Sequence, residues 1–350
     1  MGGAIEVLLW VSFFEQTQTD QPKASILLPR WQLERVDGQA VAIAHLVLHG
    51  DFLPAQEADR LWAERGLLTS AKWDRQVSPN QFQSADKLDR YTEIVERGLG
   101  VIQSGQVDKI VLAHGLDVMA ERAFTVAGTL ANLHDRYPSC YCFSTACGQG
   151  DVFLGASPER LVSVDDGMML TEALAGSAPR GMSEQEDLIY ATQLLSSDKE
   201  SHEHQLVSDF IAQKLRQLGI EPIYQTPRLL QLPNIQHRHT PIAGKVPSSV
   251  HLLDILASLH PTPAVAGFPR ELSCQYIRAL EDFDRGPYAA PIGWVDGDGN
   301  GEFAVGIRSA LIRGDRARLF AGAGIVAGSD PERERREVQM KLQALLEALV

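Results

Sequence analysis

Two segments of this chain carry charge where a helix should be apolar. In 330–350, DPERERREVQMKLQALLEALV, Asp330 before Pro331 is a helix-start signal. At 100° per residue Val338, Leu342, Leu345 and Leu349 share one face. Glu334, Glu337 and Lys341 fall directly beside that face, while Arg335, Arg336, Gln339 and Gln343 point away. In 197–218, Leu206, Val207, Phe210 and Ile211 form the apolar face. Glu203 falls in its middle, with Glu200 three residues earlier and His204 one later. Buried charge is costly without a partner. Two accounts stand open. The charges form a rim of salt bridges, with Glu203 reaching solvent from a first helical turn, or they meet a divalent cation or an anionic ligand. Oxygen ligands from two helices, completed by waters and substrate oxygens, describe a Mg²⁺ site.

Other residues could do chemistry. Lys109 interrupts an apolar strand pattern, VDKIVLAHGLDV. If it points inward, away from water, it is a candidate general base. Glu159 follows Gly-Ala-Ser-Pro at a strand end, where a turn could present it into a cleft. Arg308 stands in the alternating EFAVGIRSALI as a strand residue and a candidate bidentate clamp for a carboxylate. The run from Asp296 to Glu302, DGDGNGE, imitates the start of a calcium loop. The Glu required at the twelfth position falls on Ile307, so a hairpin turn is the better reading. Cys140, Cys142 and Cys147 lack zinc spacing and read as small core residues. AGAGIVAG lacks the GxGxxG order, and its glycines suit a backbone that must approach a ligand.

These residues need a large frame. The chain has 350 residues and a net charge of −13, which argues against a polyanionic partner such as nucleic acid. Four cysteines are too few for a disulfide scaffold, which points to a reducing cytoplasm. IEVLLWVSFF is too short to span a bilayer and lacks a basic flank, so no membrane association is expected. Strands are expected at 5–14, 40–48 and 107–118. Hairpins are expected around GQGD and around Asp165-Asp166-Gly167, with one antiparallel meander over 291–328. Helices are expected at 52–67, 86–104, 123–136, 183–218 with a break near the middle, 249–258 and 269–283. Strands and helices do not alternate regularly. The fold class is therefore α+β, with large antiparallel sheets and helices outside, in one domain over 1–350.

Seven segments occur in one order: KIVLAHG at 109–115, FLGASPERL at 153–161, TEALAGSAPRG at 171–181, DKESHEHQLV at 198–207, LHPTPAVAGFP at 259–269, GWVDGDGNGEFAVGIRSALI at 293–312, and AGAGIVAGSDPERERREVQMKL at 321–342. Together they resemble the chorismate-utilising enzymes, most closely the isochorismate synthases. The resemblance covers most of 85–350. Residues 1–80 carry none of the motifs and look short for the family. It implies sheets stacked at the core, an isomerase acting on chorismate, Mg²⁺ as cofactor, and a monomer without a glutamine amidotransferase subunit. By resemblance, Lys109 is the base that activates water for attack at C2, and Glu159 the acid that protonates the departing C4 hydroxyl. Glu203 and Glu337 are Mg²⁺ ligands, with Glu200 and Glu334 close by. Arg308, with backbone near Gly322, clamps the enolpyruvyl carboxylate, Lys341 helps hold the metal-bound end, and Gly176 lies against the ring carboxylate. Ala264 stands where ammonia-using relatives carry Thr, leaving room for water. Salicylate synthase, which shares the Lys/Glu pair and goes on to eliminate pyruvate, is the alternative. A non-catalytic chorismate-binding subunit would not need both Lys109 and Glu159. The product's destination, menaquinone or siderophore biosynthesis among others, stays open.

Overall fold

The structure is a computed structural model that describes residues 6–13, 24–36, 39–45, 59–60, 62–63, 81–84 and 88–350. Two large antiparallel sheets dominate it. Along the first, the strands run Ile223–Tyr224, Ile235–Lys245, Met168–Pro179, Arg160–Asp165, Gly301–Val305, Pro291–Asp296, Glu6–Val11 and Ala24–Leu27, with Arg228–Gln231 also paired to Ile235–Lys245. The second runs Gly267–Phe268, Lys109–Ala120, Arg316–Val326, Ser309–Arg313, Asp151–Ser157 and Tyr141–Gly148, with Phe82–Ser84 beside Lys109–Ala120. Trp31–Val36 and Gln39–Ala44 form a separate pair. Apolar side chains of both large sheets, among them Leu112, Leu319, Val162, Phe303 and Ile242, belong to one core. The α+β class and the antiparallel sheets agree with the sequence reading. Of the helix expected at 52–67, only 59–60 and 62–63 are described, and 46–48 of the second expected strand lie outside the described residues.

The Lys109 strand owes its place to its composition. Its first six residues are all buried, as β-branched and leucine residues in a central strand should be. It pairs with Arg316–Val326 in unbroken register from Lys109↔Val326 to Met119↔Arg316. The expected long helix divides at Ser197. That residue closes Glu184–Ser196 in an extended conformation and caps the Glu203 helix, Asp198–Gln217, where its side chain accepts from Glu200 N. The Glu337 helix, Pro331–Leu346, starts at Asp330, whose carboxylate accepts from Arg333 N at 2.8 Å.

The expected meander over 291–328 is corrected. Pro291–Asp296 and Gly301–Val305 belong to the first sheet, whereas Ser309–Arg313 and Arg316–Val326 belong to the second. The chain changes sheets at 306–308. The strand expectation for Arg308 is corrected with it. Arg308 sits at the crossover with φ +49°, a left-handed conformation that costs a non-glycine residue energy and is found preferentially at functional sites. Alternation simply continues across the change of sheet, so the pattern gave no warning.

A buried ion pair ties this frame together. Arg285, fully buried, donates to Glu281 at 2.9 and 2.5 Å and to the carbonyls of Val265 and Val111 at 2.8 Å each. Glu281 accepts from Ala113 N at 2.8 Å, and the guanidinium lies over the Phe13 ring at 4.4 Å. The pair therefore pins the Lys109 strand to the segment carrying Ala264. Arg285→Ala strands Glu281 without a counter-ion and is expected to lower stability by about 3–5 kcal/mol. An unchanged midpoint in urea denaturation would contradict this role.

Candidate active site

A cavity opens between the two sheets and is closed by the Glu203 and Glu337 helices. Of the residues singled out from sequence, Glu159, Gly176, Glu203, Ala264, Arg308, Gly322, Glu337 and Lys341 line it. Lys109 does not, but it stands just behind the wall. Val111, two residues along the same strand face, is a lining residue, and Lys109 Nζ lies 2.9 Å from Glu203 Oε1. That contact is an ion pair without hydrogen-bond alignment, and among the described residues the ammonium has no hydrogen-bond acceptor. Lys109 is 0% exposed. Gly324 makes the approach possible, because a β-carbon there would overlap Glu203 Oε1 and Lys109 Cε. The glycine run therefore clears space for these side chains as well as exposing backbone at Gly322.

Glu159 sits in the turn between Asp151–Ser157 and Arg160–Asp165. Burial, and then the nearby Glu172 carboxylate, push its carboxyl up to about 8, against smaller opposing effects of Lys109 and Lys341. At neutral pH it carries a proton, which is what a general acid requires. Glu172 is itself engaged, accepting from Arg160 N at 2.7 Å and lying 2.8 Å from His239 Nε2.

Arg308 is buried and turned inward by its left-handed backbone. Burial lowers its pKa, as expected of a cation withdrawn from water. Nη2 lies 2.8 Å from His237 Nε2, while Nη1 has no hydrogen-bond partner among the described residues. Arginine only donates, so His237 Nε2 accepts and Nδ1 carries the proton toward Ser177 Oγ, 3.0 Å away. Burial, then Arg308 and Lys341, keep His237 neutral, with its pKa well below the usual value. An inward cation with an idle donor suits an anionic group. Lys341 donates to Gly322 O at 2.8 Å and to Glu337 Oε1 at 2.7 Å. Gly176, at φ +82°, forms the register break between Leu174 and Ser177 that turns this strand toward the cavity.

The four glutamates gather as the sequence suggested, with one correction. Glu334 is 1% exposed, not at the edge of its helix's buried face, because Lys199 covers it from the Glu203 helix at 2.8 Å. Lys199 also lies 3.4 Å from Glu200, which Arg333 meets at 2.8 Å and Ser177 N at 3.2 Å. Burial, then Glu337, push Glu334 up to about 7. Burial raises Glu200 too, reinforced by Glu203 and Glu337. Burial also opposes ionisation of Glu337, but Lys341, hydrogen-bonded to it, helps outweigh that and its carboxyl falls to about 2. Hard oxygen donors that repel one another fit a hard divalent cation. No three His, Cys, Asp or Glu side chains among the described residues form a ready cage. Mg²⁺ asks for less, since one or two carboxylates with substrate and water complete its shell. Glu203 and Glu337, reaching the cavity from two helices, are the pair that could hold it.

Sequence reasoning missed Ser177, His237 and Lys199. His237 and His239, two apart in the strand IQHRHTPIAGK, were the available signal for one buried polar face. Among the described residues, no helix is long and apolar enough to cross a membrane.

Known proteins resemble this chain in sequence and in fold. The family model described as chorismate binding enzyme matches residues 2–350. Isochorismate synthase MenF of Bacillus subtilis is 39% identical over 269 residues, 76% of this chain and 57% of that protein. The salicylate biosynthesis isochorismate synthase of Pseudomonas aeruginosa is 41% identical over 268 residues, 76% and 56%. The chain thus covers little more than half the length of these two relatives. The solved structure of the menaquinone-specific isochorismate synthase MenF from Escherichia coli superposes with a TM-score of 0.82 at 30% identity, covering 98% of this chain and 79% of that one. With residues 2–350 matched by the family model, this chain belongs to the chorismate-binding enzymes.

Proposed function

We propose that the protein converts chorismate to isochorismate. The observation that carries this reading is a single cavity holding a protonated glutamic acid, an inward arginine with an idle donor, and a buried lysine behind its wall. Chorismate is a dianion. Arg308 and Lys341 supply local positive charge to hold it despite the acidity of the chain, with Arg308 Nη1 and the backbone near Gly322 taking the enolpyruvyl carboxylate. Gly176, without a side chain, lets the ring carboxylate lie close. Lys109, once its ammonium has released its proton, takes a proton from the water that attacks C2, and Glu159 gives its proton to the hydroxyl leaving C4. One hydroxyl enters as the other departs, so the reaction is an isomerisation. Ala264 leaves space for that water. A Mg²⁺ held by Glu203 and Glu337, with Glu200 and Glu334 behind them, would polarise the ring carboxylate and orient the ring.

Product analysis after incubation with chorismate and Mg²⁺ tests the reading. Isochorismate alone supports it, salicylate plus pyruvate moves the assignment to salicylate synthase, and unchanged chorismate removes it. The acid also sets a pH limit. Glu159 keeps its proton below about 8 and loses it above, so turnover should fall as pH rises through that value. Glu159→Gln, which cannot release a proton, should lose about 10²- to 10⁴-fold in kcat. A variant as fast as the parent would exclude the acid role.

A further inference from the structure

A second hollow adjoins the cavity. Ser177 and Glu337 line both, and the second hollow runs along the Glu337 helix past Arg333 and Arg336. Arg336 and Met340 in turn line a third hollow, which reaches Arg136 and Glu347 at the surface. Most charges along this path are matched. Arg333 meets Glu200 at 2.8 Å, Lys341 meets Glu337 at 2.7 Å, and Arg136 meets Glu347 at 2.8 Å. Arg336 is not matched. It is exposed, and among the described residues its one hydrogen bond goes from Nε to the carbonyl of Glu332 at 3.2 Å and no carboxylate stands within ion-pair distance.

We propose that these adjoining hollows are the entry route for a small dicarboxylate dianion and that Arg336 is the cation that captures it. The proposal rests on the functional reading above. A chain of net charge −13 repels a dianion over most of its surface, so an uncompensated positive charge at one opening decides where the dianion arrives. From Arg336 the path leads inward past Glu337 to Lys341 and the idle Nη1 of Arg308, a sequence of cations that ends in the cavity. Arg335, its neighbour, pairs with Glu332 at 2.9 Å and lines none of the three hollows.

Association of chorismate with the immobilised protein, followed by surface plasmon resonance, tests this without requiring turnover. Arg336→Glu changes the charge facing the dianion by two units. At about 10 Å in water and roughly 10 mM ionic strength, that corresponds to about a tenfold slower association. The gap should close near 1 M salt, where screening is complete over about 3 Å, and Arg336→Gln should fall between. Arg335→Glu makes the same change in net charge off the route and should leave the rate near that of the parent. Equal low-salt rates for Arg336→Glu and the parent overturn the proposal, as does an equal loss in Arg335→Glu. If the parent protein does not associate with chorismate, the functional reading fails, and the entry route falls with it.

Discussion

Lys109→Ala should lower chorismate turnover by about 10²- to 10⁴-fold, the range a positioned general base contributes, while chorismate still binds. The lysine is fully enclosed in the most buried part of its strand, and its ammonium reaches Glu203 Oε1 at 2.9 Å without a hydrogen-bond acceptor among the described residues. A purely structural lysine would be expected to sit in a closed hydrogen-bonded network, as Arg285 does with five well-formed contacts. Lys109 instead faces the side chain that separates it from the cavity. In the proposed function Arg308 and Lys341 would take the substrate's carboxylates, so removal of Lys109 should act on kcat and spare KM. An interaction made only in the transition state lowers kcat and kcat/KM together. The alanine variant also leaves Glu203 without its counter-ion, so Lys109→Gln, which keeps most of the length and a hydrogen-bonding end, separates chemistry from packing. Both variants should be slow and folded by circular dichroism. A full rate in Lys109→Ala, or a normal rate restored by Gln, would remove the base assignment.

The residues that the sequence disclosed were those whose type broke a local pattern. Lys109 breaks an apolar strand, Glu203 an apolar helix face, and Glu159 follows a proline at a strand end. Each anomaly is visible within about one turn or strand length, and all three lie in or against the cavity. What stayed hidden depends on neighbours far along the chain. Glu334 looked peripheral because Lys199, 135 residues away, supplies the contact that makes its burial tolerable. Arg308 looked like an ordinary strand residue because a left-handed φ at arginine has no sequence mark, whereas at Gly176 the residue type itself permits it. Glu281 and Arg285 have the i,i+4 spacing of a solvent-exposed pair, yet both are buried, since the strand and ring that enclose them come from residues 111–113 and Phe13. The antiparallel hairpins were legible for the opposite reason. Asp165-Asp166-Gly167 fixes its turn locally, with Asp166 and Gly167 both at positive φ.

Chelation with excess EDTA should remove turnover by about 100-fold or more, and Mg²⁺ should restore it, because polarising a carboxylate is worth several kcal/mol in the transition state. The cluster of carboxylates supports this expectation independently of the reaction. Glu200, Glu203, Glu334 and Glu337 stand close enough that their charges oppose one another, and Glu334 rises to about 7 as a result of burial and Glu337. Lys109, Lys199, Lys341 and Arg333 offset that repulsion one contact at a time. A cation between Glu203 and Glu337 would offset it centrally, and it would compete with Lys109 for Glu203. Binding should therefore be visible as stability as well as rate. At Mg²⁺ concentrations near 100 times the dissociation constant, the folded state should gain about 2.7 kcal/mol in denaturant unfolding. Glu203→Gln combined with Glu337→Gln should lose that gain and the rescue of turnover together, while remaining folded. A parent protein that turns over at full rate in excess chelator, or a double variant that Mg²⁺ stabilises as much as the parent, would place the metal elsewhere or exclude it, and the four glutamates would then be an internal salt-bridge network joining the two helices.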